Sequence, residues 1–91
     1  MAGAGAVWVQ QKEYEEVGAA LADARERAGL TQQQLAKLLR RPQSFVSNYE
    51  RGQRRIDVLE LVRIIETLDG DPVEIFREIL RRGANPKLHK R

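Results

Sequence analysis

A chain of 91 residues with 42% hydrophobic but only 5% aromatic residues suits one small, aliphatic helical domain. It contains no cysteine, which excludes disulfide bonds and thiolate metal sites and fits a reducing cytoplasm. The net charge is +3, no apolar run approaches membrane-spanning length, and the first residues lack the basic segment and long apolar core of a signal peptide.

Residues 1–11 are mostly small and apolar and carry no capping signal, so we expect a flexible N-terminal arm. Trp8 in this arm is expected either to dock on the domain surface or to contact a second copy. An arm that enters the minor groove of DNA needs Arg or Lys, and none precedes Lys12. The arm is therefore not predicted to bind DNA in that way.

A first helix is predicted from Lys12 to Ala28, and Gly29 ends it. Apolar residues recur in it at intervals of three and four, which predicts one inward-facing stripe. That stripe comprises Tyr14, Val17, Leu21, Ala24 and Ala28.

Two short helices joined by a tight turn follow. Thr31 can cap the first of them, with Gln34 completing a capping box, and this helix should end near Arg40. Pro42 cannot continue it but suits the start of the next helix, which should run to Arg51. The predicted inward residues are Leu35, Leu38 and Leu39 in the first helix and Val46 and Tyr49 in the second, and Gly52 is the predicted stop.

The outer face of this third helix carries amide and hydroxyl side chains, namely Gln43, Ser44, Ser47 and Asn48. Gln and Asn can donate and accept at once, which matches the edge of adenine in the major groove. This pattern predicts a set of base-reading residues. Phe45 is either a core residue or a contact for a thymine methyl group, and we expect it to be partly exposed on the DNA side.

Basic residues surround this face. Between Lys37 and Arg55 lie six basic residues and one acidic residue, a net charge of +5, whereas the rest of the chain has ten basic and twelve acidic residues, a net charge of −2. A positive excess confined to one unit is the electrostatic footprint of a protein that binds duplex DNA. Phosphate contacts are expected from Gln32, Arg41, Arg51, Arg54 and Arg55.

Two more helices complete the predicted domain, which spans residues 12–82. Asp57 caps the fourth helix with Glu60 as its capping-box partner, and Gly70 ends it. Asp71 and Pro72 start the fifth helix, which ends at Gly83. The predicted inner face of the fourth helix is Val58, Leu61, Val62, Ile65 and Leu68, widened by Leu59 and Ile64; that of the fifth is Val73, Phe76, Ile79 and Leu80, with Ile75 alongside.

These two helices carry more aliphatic surface than a small core can hide, which favours a dimer interface on the fifth helix and part of the fourth. Residues 83–91 form a basic C-terminal tail that is expected to be mobile. No effector domain follows, so a small stand-alone protein is expected.

The stretch from Leu21 to Pro72 resembles the helix-turn-helix domain of the phage-repressor and Cro type, also called the XRE family. The segments that carry this resemblance are ARERAGLTQ at 24–32, LAKLL at 35–39 and SFVSNYERG at 44–52, with the LeuGlu…Leu run after Asp57. The resemblance implies an all-α, compact five-helix bundle of the lambda-repressor-like type whose third helix enters the major groove. It also implies a bacterial or phage transcriptional regulator, usually a dimer on a palindrome.

The resemblance further implies that Arg25 pairs with Glu50 and ties the first helix to the end of the third, and that Gln32 braces Gln43 across the turn. The chain departs from the family pattern at the turn itself. Arg40 and Arg41 stand where the family usually has Gly followed by an aliphatic residue, and Pro42 stands where Ser or Thr is usual. A slightly different turn is therefore expected, with Arg41 facing phosphate rather than the core.

Other classes of function fit less well. The single histidine, His89, lies in the tail, and no catalytic set, metal-ligand spacing or phosphate loop is present, so neither an enzyme nor a cofactor is expected. A protein-interaction module is the stronger alternative. The same fold can serve as an antitoxin that neutralises a toxin and represses its own promoter, whereas the favoured function is repression by a dimer on a palindromic operator.

Overall fold

The computed structural model describes residues 8–83, and in that range the chain forms five α-helices and no strand. They are α1 (Gln11–Arg27), α2 (Gln32–Leu39), α3 (Gln43–Glu50), α4 (Val58–Leu68) and α5 (Pro72–Gly83). The predicted all-α bundle with the helix-turn-helix at its second and third helices is confirmed. Most of the predicted arm and almost all of the predicted tail lie outside the described residues.

The core is aliphatic and is shared by all five helices. Its most deeply buried large side chains are Leu21, Leu35, Val46, Tyr49 and Ile64, each less than 2% exposed. Helix α5 packs on α1, and α4 packs on α2. Helices α2 and α3 pack on each other, and α3 also contacts α1, so the helix-turn-helix rests on a platform made by α1 and α4.

Several residues predicted to face inward are exposed instead, most of them on α4 and α5, where the buried stripe is narrower than predicted. In α5 the buried residues are Ile75 and Ile79, four apart, while Ile64, Ile65 and Leu68 are buried in α4. The exposed ones are Ala28, Leu38, Val58, Leu59, Val62, Val73, Phe76 and Leu80. The five short helices cannot cover so wide an apolar surface.

The ends of the helices also differ in part from expectation. The capping boxes at Thr31 and Asp57 are present, as predicted. Arg40 ends α2 in the left-handed conformation, with φ 58°, and Asp69 rather than Gly70 does so for α4, with φ 55°. Pro42 is not the first residue of α3 but precedes it with extended backbone, where its carbonyl accepts a hydrogen bond from Phe45 N at 3.0 Å.

Helix α1 lies directly against the C-terminal end of α3 at Gly18. A β-carbon placed on Gly18 would come within 2.4 Å of the carbonyl oxygens of both Tyr49 and Glu50. Only glycine allows the two backbones to approach so closely. A second contact lies two turns earlier, where Gln11 Nε2 donates to the carbonyl of Gly52 at 2.7 Å.

A buried ion pair joins the same two helices. Arg25 Nε donates to Glu50 Oε2 at 2.7 Å and Arg25 Nη2 to Oε1 at 3.2 Å, and both residues are at least nine-tenths buried. Arg25 Nη1 also donates to the carbonyl of Leu30 at 2.7 Å, so one guanidinium reaches three acceptors. The hydrogen bond that Arg25 donates to Glu50 raises the pKa of Arg25, which keeps the guanidinium charged. We call Gly18, the Arg25–Glu50 pair and the Gln11–Gly52 contact the α1–α3 junction.

The close approach at Gly18 gives a first prediction. Replacing Gly18 with alanine should lower the free energy of unfolding by about 3 kcal/mol, because the new methyl group meets backbone that cannot yield. Gly70→Ala is the matched control, since its β-carbon would make an ordinary 3.5 Å contact with Ile75 and its φ is not positive. Urea unfolding of both variants measures the difference, and a Gly18→Ala variant within about 0.5 kcal/mol of the wild type would contradict the packing.

The ion pair gives a second prediction. Arg25→Met should lower the free energy of unfolding by about 3–5 kcal/mol, because it leaves the Glu50 carboxylate buried without its charged partner. Lys12→Met is the control, since the Lys12–Glu16 pair is exposed, 3.8 Å long and expected to contribute below about 0.5 kcal/mol. Thermal and urea unfolding measure both, and the double variant Arg25→Met/Glu50→Met should recover part of the loss. Equal losses for Arg25→Met and Lys12→Met would show that the buried pair does not hold the two helices.

Candidate nucleic-acid interface

The outer side of α3 presents polar side chains, while its inner side is buried. Gln43 and Ser44 are exposed, Ser47 and Asn48 are half-buried, and Val46 and Tyr49 face the core. Ser44, Ser47 and Asn48 recur at helical spacing, so they share one side of an eight-residue helix. This side can offer donors and acceptors together to the edges of bases.

Asn48 is part of a small network at the C-terminal end of α3. Arg51 Nη2 donates to Asn48 Oδ1 at 2.9 Å and lies 3.4 Å from Gln53 Oε1. The backbone carbonyl of Asn48 accepts from the backbone N–H groups of Gln53, at 2.8 Å, and Arg54, at 3.3 Å. Arg51 takes one of the two lone pairs of the amide oxygen, so a base that uses both ends of the Asn48 amide shares that oxygen with Arg51.

Phe45 is buried, with 7% exposure, so the expectation that it is partly exposed is wrong. Its ring meets the Tyr49 ring edge-on, with the centroids 5.4 Å apart. Two guanidinium groups lie over it, Arg41 at 5.2 Å and Arg54 at 4.6 Å from the ring centroid. Phe45 therefore supports two cations through its π-face and does not offer its ring to a thymine methyl group.

Gln32 is engaged inside the protein. Its Nε2 donates to Glu50 Oε1 at 2.8 Å, so the brace across the turn reaches Glu50 and not Gln43, which corrects the expectation. Glu50 thereby accepts hydrogen bonds from a residue of α1 and from the first residue of α2. This bond uses one of the two N–H groups of the amide, which leaves the other for the phosphate contact that the sequence predicts.

The arginines around α3 differ in how far their charge is compensated. Arg41 and Arg51 are exposed, and Arg55 lies over the Tyr14 ring at 5.0 Å. Arg54, by contrast, makes a two-pronged ion pair with Glu60, with both N···O distances at 3.1 Å. Hydrogen bonding to Arg54, then to the Asp57 backbone, lowers the pKa of Glu60, so its carboxylate stays charged.

Sequence reasoning assigned Glu60 only to a capping box, because its partner lies six residues earlier across a loop. No helical spacing signals such a pair. The inward position of Tyr49 was predicted correctly, but not that its hydroxyl is buried without a hydrogen-bond partner among residues 8–83. Burial raises its pKa, so the phenol stays neutral and acts as a core residue.

Other kinds of site are not found in the described part of the chain. Residues 8–83 contain no group of three or more His, Cys, Asp or Glu side chains that could hold a metal ion. None of the five helices there has the length and apolar character needed to cross a membrane. The polar face of α3 and the arginines beside it remain the candidate functional surface.

Comparisons with known proteins agree with this geometry. A sequence profile described as a helix-turn-helix domain matches residues 16–75. The crystal structure of the clp gene regulator ClgR from C. glutamicum is similar at a TM-score of 0.71 with 26% identity, covering 79% of this chain and 92% of its own. An XRE-family-like protein from Pseudomonas syringae pathovar tomato is similar at 0.65 with 38% identity, covering 76% of this chain and 84% of its own. No curated protein matches in a sequence comparison.

The matched segment contains α2, α3 and α4 whole, together with most of α1. It also contains the polar face of α3 and the Arg25–Glu50 pair. The resemblance drawn from the sequence is thus confirmed by the profile and by the structural neighbours. The chain belongs to the helix-turn-helix domain family and, like its XRE-type structural relatives, is a DNA-binding protein of transcription regulation.

Proposed function

We propose that this protein reads specific sequences in double-stranded DNA with α3 in the major groove and represses transcription by occupying a palindromic operator as a dimer. The observation that supports this most strongly is the outer face of α3, where Gln43, Ser44, Ser47 and Asn48 lie together beside a cluster of arginines. A second support is the structural similarity to a clp gene regulator, ClgR from C. glutamicum.

In this proposal the polar residues and the arginines have different tasks. Gln43 and Asn48 read bases, with Ser44 and Ser47 as further contacts, because their side chains can match a donor and acceptor pattern. Arg41, Arg51, Arg54 and Arg55 contact phosphates, which position the protein and give binding its salt dependence. Arg51 also acts beside the bases, since it holds the amide oxygen of Asn48.

The apolar surface of α4 and α5 is the proposed dimer interface. Phe76 and Val73 are 46% and 60% exposed, and Val58 is 75% exposed. Together with their neighbours they border a groove of about 490 Å³. Its lining is Val58, Leu61, Val62, Ile65, Glu66, Pro72, Val73 and Phe76. A contiguous apolar patch on a small domain favours association with another protein surface, and two copies can engage half-sites one helical turn apart.

The base-reading role gives a third prediction. Gln43→Ala and Asn48→Ala should each weaken the free energy of binding to the preferred duplex by about 1–3 kcal/mol, and to an unrelated duplex by less. Arg41→Gln is the matched control. Loss of a phosphate contact should weaken binding to both duplexes alike and lower the slope of log affinity against log salt concentration by about one. Fluorescence anisotropy over a salt series measures all three variants. Equal losses on both duplexes for Asn48→Ala would remove it from the base readers.

The dimer gives a fourth prediction. Phe76→Glu should shift the protein from dimer to monomer, because it places a charge in an apolar contact, and should weaken binding to the full palindrome far more than to a half-site. Leu38→Glu is the matched control, because Leu38 is also exposed, at 59%, but lies on α2. Sedimentation velocity measures the oligomeric state. A wild type that stays monomeric at high concentration would contradict the proposed interface.

A monomeric result would instead favour the antitoxin function. The same apolar surface could then bind a protein partner, while α3 represses the promoter shared with it. Co-purification with the product of an adjacent reading frame tests that alternative. Loss of this complex in Phe76→Glu, with DNA binding by α3 retained, would support it.

A further inference from the structure

Glu60, in the first turn of α4, is paired with Arg54 in the loop that follows α3. Its two oxygens face the two terminal nitrogens of Arg54, each at 3.1 Å. Arg54 is held further by a 2.7 Å hydrogen bond from Nη1 to the carbonyl of Arg55 and by the Phe45 ring beneath it. A proposed phosphate-contacting side chain is thus fixed in one orientation before DNA arrives.

The capping role of Glu60 does not account for its charge. Glu60 Oε1 accepts from the backbone N–H of Asp57 at 3.1 Å, and Asp57 Oδ1 accepts from Glu60 N at 2.7 Å. Glutamine serves at this position of a capping box as well as glutamate does. The negative charge therefore acts on the arginines, and its field also includes Arg41, which helps to lower the pKa of Glu60.

The pairing leaves Arg54 able to make some contacts but not others. An arginine has five N–H donors in a rigid fork. Glu60 and the Arg55 carbonyl take both donors of Nη1 and one of Nη2, which leaves one donor on Nη2 and the donor on Nε among the described contacts. Arg54 can then meet a phosphate only from the direction that its fixed orientation allows.

We propose that Glu60 is a specificity-determining residue: it offsets the charge of Arg54 and holds it in one orientation, so that DNA without the right bases gains little from Arg54. On the preferred sequence the bases dock α3 in one register, and the preset Arg54 meets its phosphate there. On other sequences a free arginine would find phosphates in many registers, and Glu60 prevents this. The proposal rests on the proposed DNA-reading function of α3.

The variant Glu60→Gln tests it, because it removes the charge and keeps the cap. Its affinity for a random duplex should rise about fivefold at 0.15 M salt. This gain is expected if the plot of log affinity against log salt concentration becomes steeper by about 0.9 and the variant and the wild type bind equally well near 1 M salt. Its affinity for the preferred duplex should rise less than twofold, so the ratio between the two falls. Fluorescence anisotropy over a salt series gives both quantities.

Three further variants make the result specific to the pair. Glu74→Gln is the matched control, since Glu74 also lies in the first turn of its helix and pairs with an arginine, Arg77, but on α5. Glu74→Gln should change the salt slope, and the ratio of the affinities for preferred and random DNA, by less than Glu60→Gln does. Adding Arg54→Gln to Glu60→Gln should abolish the gain on random DNA. Arg54→Lys leaves Glu60 and its cap in place, and should also lower the ratio because one ammonium cannot span both oxygens.

An equal rise in affinity for both duplexes would overturn the proposal. Weaker binding to both would also overturn it, because it would show that Glu60 only positions Arg54 for phosphate. An unchanged random-duplex affinity would also overturn it. These outcomes differ from a failure of the proposed function, in which no sequence is preferred at all. The random-duplex measurement still reports on the charge of Glu60 in that case.

Discussion

The contact between α1 and the C-terminal end of α3 is the constraint on which the rest of the structure depends. Helix α3 has eight residues, and an isolated helix of that length is not stable in water. Its orientation must therefore come from packing, and the α1–α3 junction supplies it through backbone contact at Gly18 and charge pairing at Arg25 and Glu50. A base reader needs such rigidity, because hydrogen bonds to bases tolerate little displacement.

The helices could be predicted from sequence because their ends carry strong local signals. Thr31 and Asp57 open helices with capping boxes, and apolar spacing identifies the buried side of α1 and α3. The junction at Gly18 could not be predicted, since a missing side chain gives no periodic signal. The left-handed caps at Arg40 and Asp69 were also missed, because a glycine is the usual signal for this conformation and Gly70 stands directly after Asp69.

The part of the candidate site that lies on one helix could be predicted from the sequence. The parts that form through contacts between separate segments could not. The polar side of α3 follows from spacing within the helix. Phe45 was placed wrongly, because its burial depends on Tyr49 and on two arginines from other segments. Glu60 was assigned only a capping role and Gln32 was expected to brace Gln43, whereas the fold pairs Glu60 with Arg54 and Gln32 with Glu50. A charge count along the chain also overstates the positive surface, since Glu60 lies outside the counted segment and offsets Arg54.

Selection of DNA by α3 can be measured without knowing the operator. The purified protein is used to select bound molecules from a pool of random duplexes at near-physiological salt, and the recovered sequences are compared. We expect an enriched inverted repeat whose half-sites lie about 10 base pairs apart. Recovery of no preferred sequence, with binding that disappears at moderate salt, would contradict it and leave only electrostatic attachment to DNA.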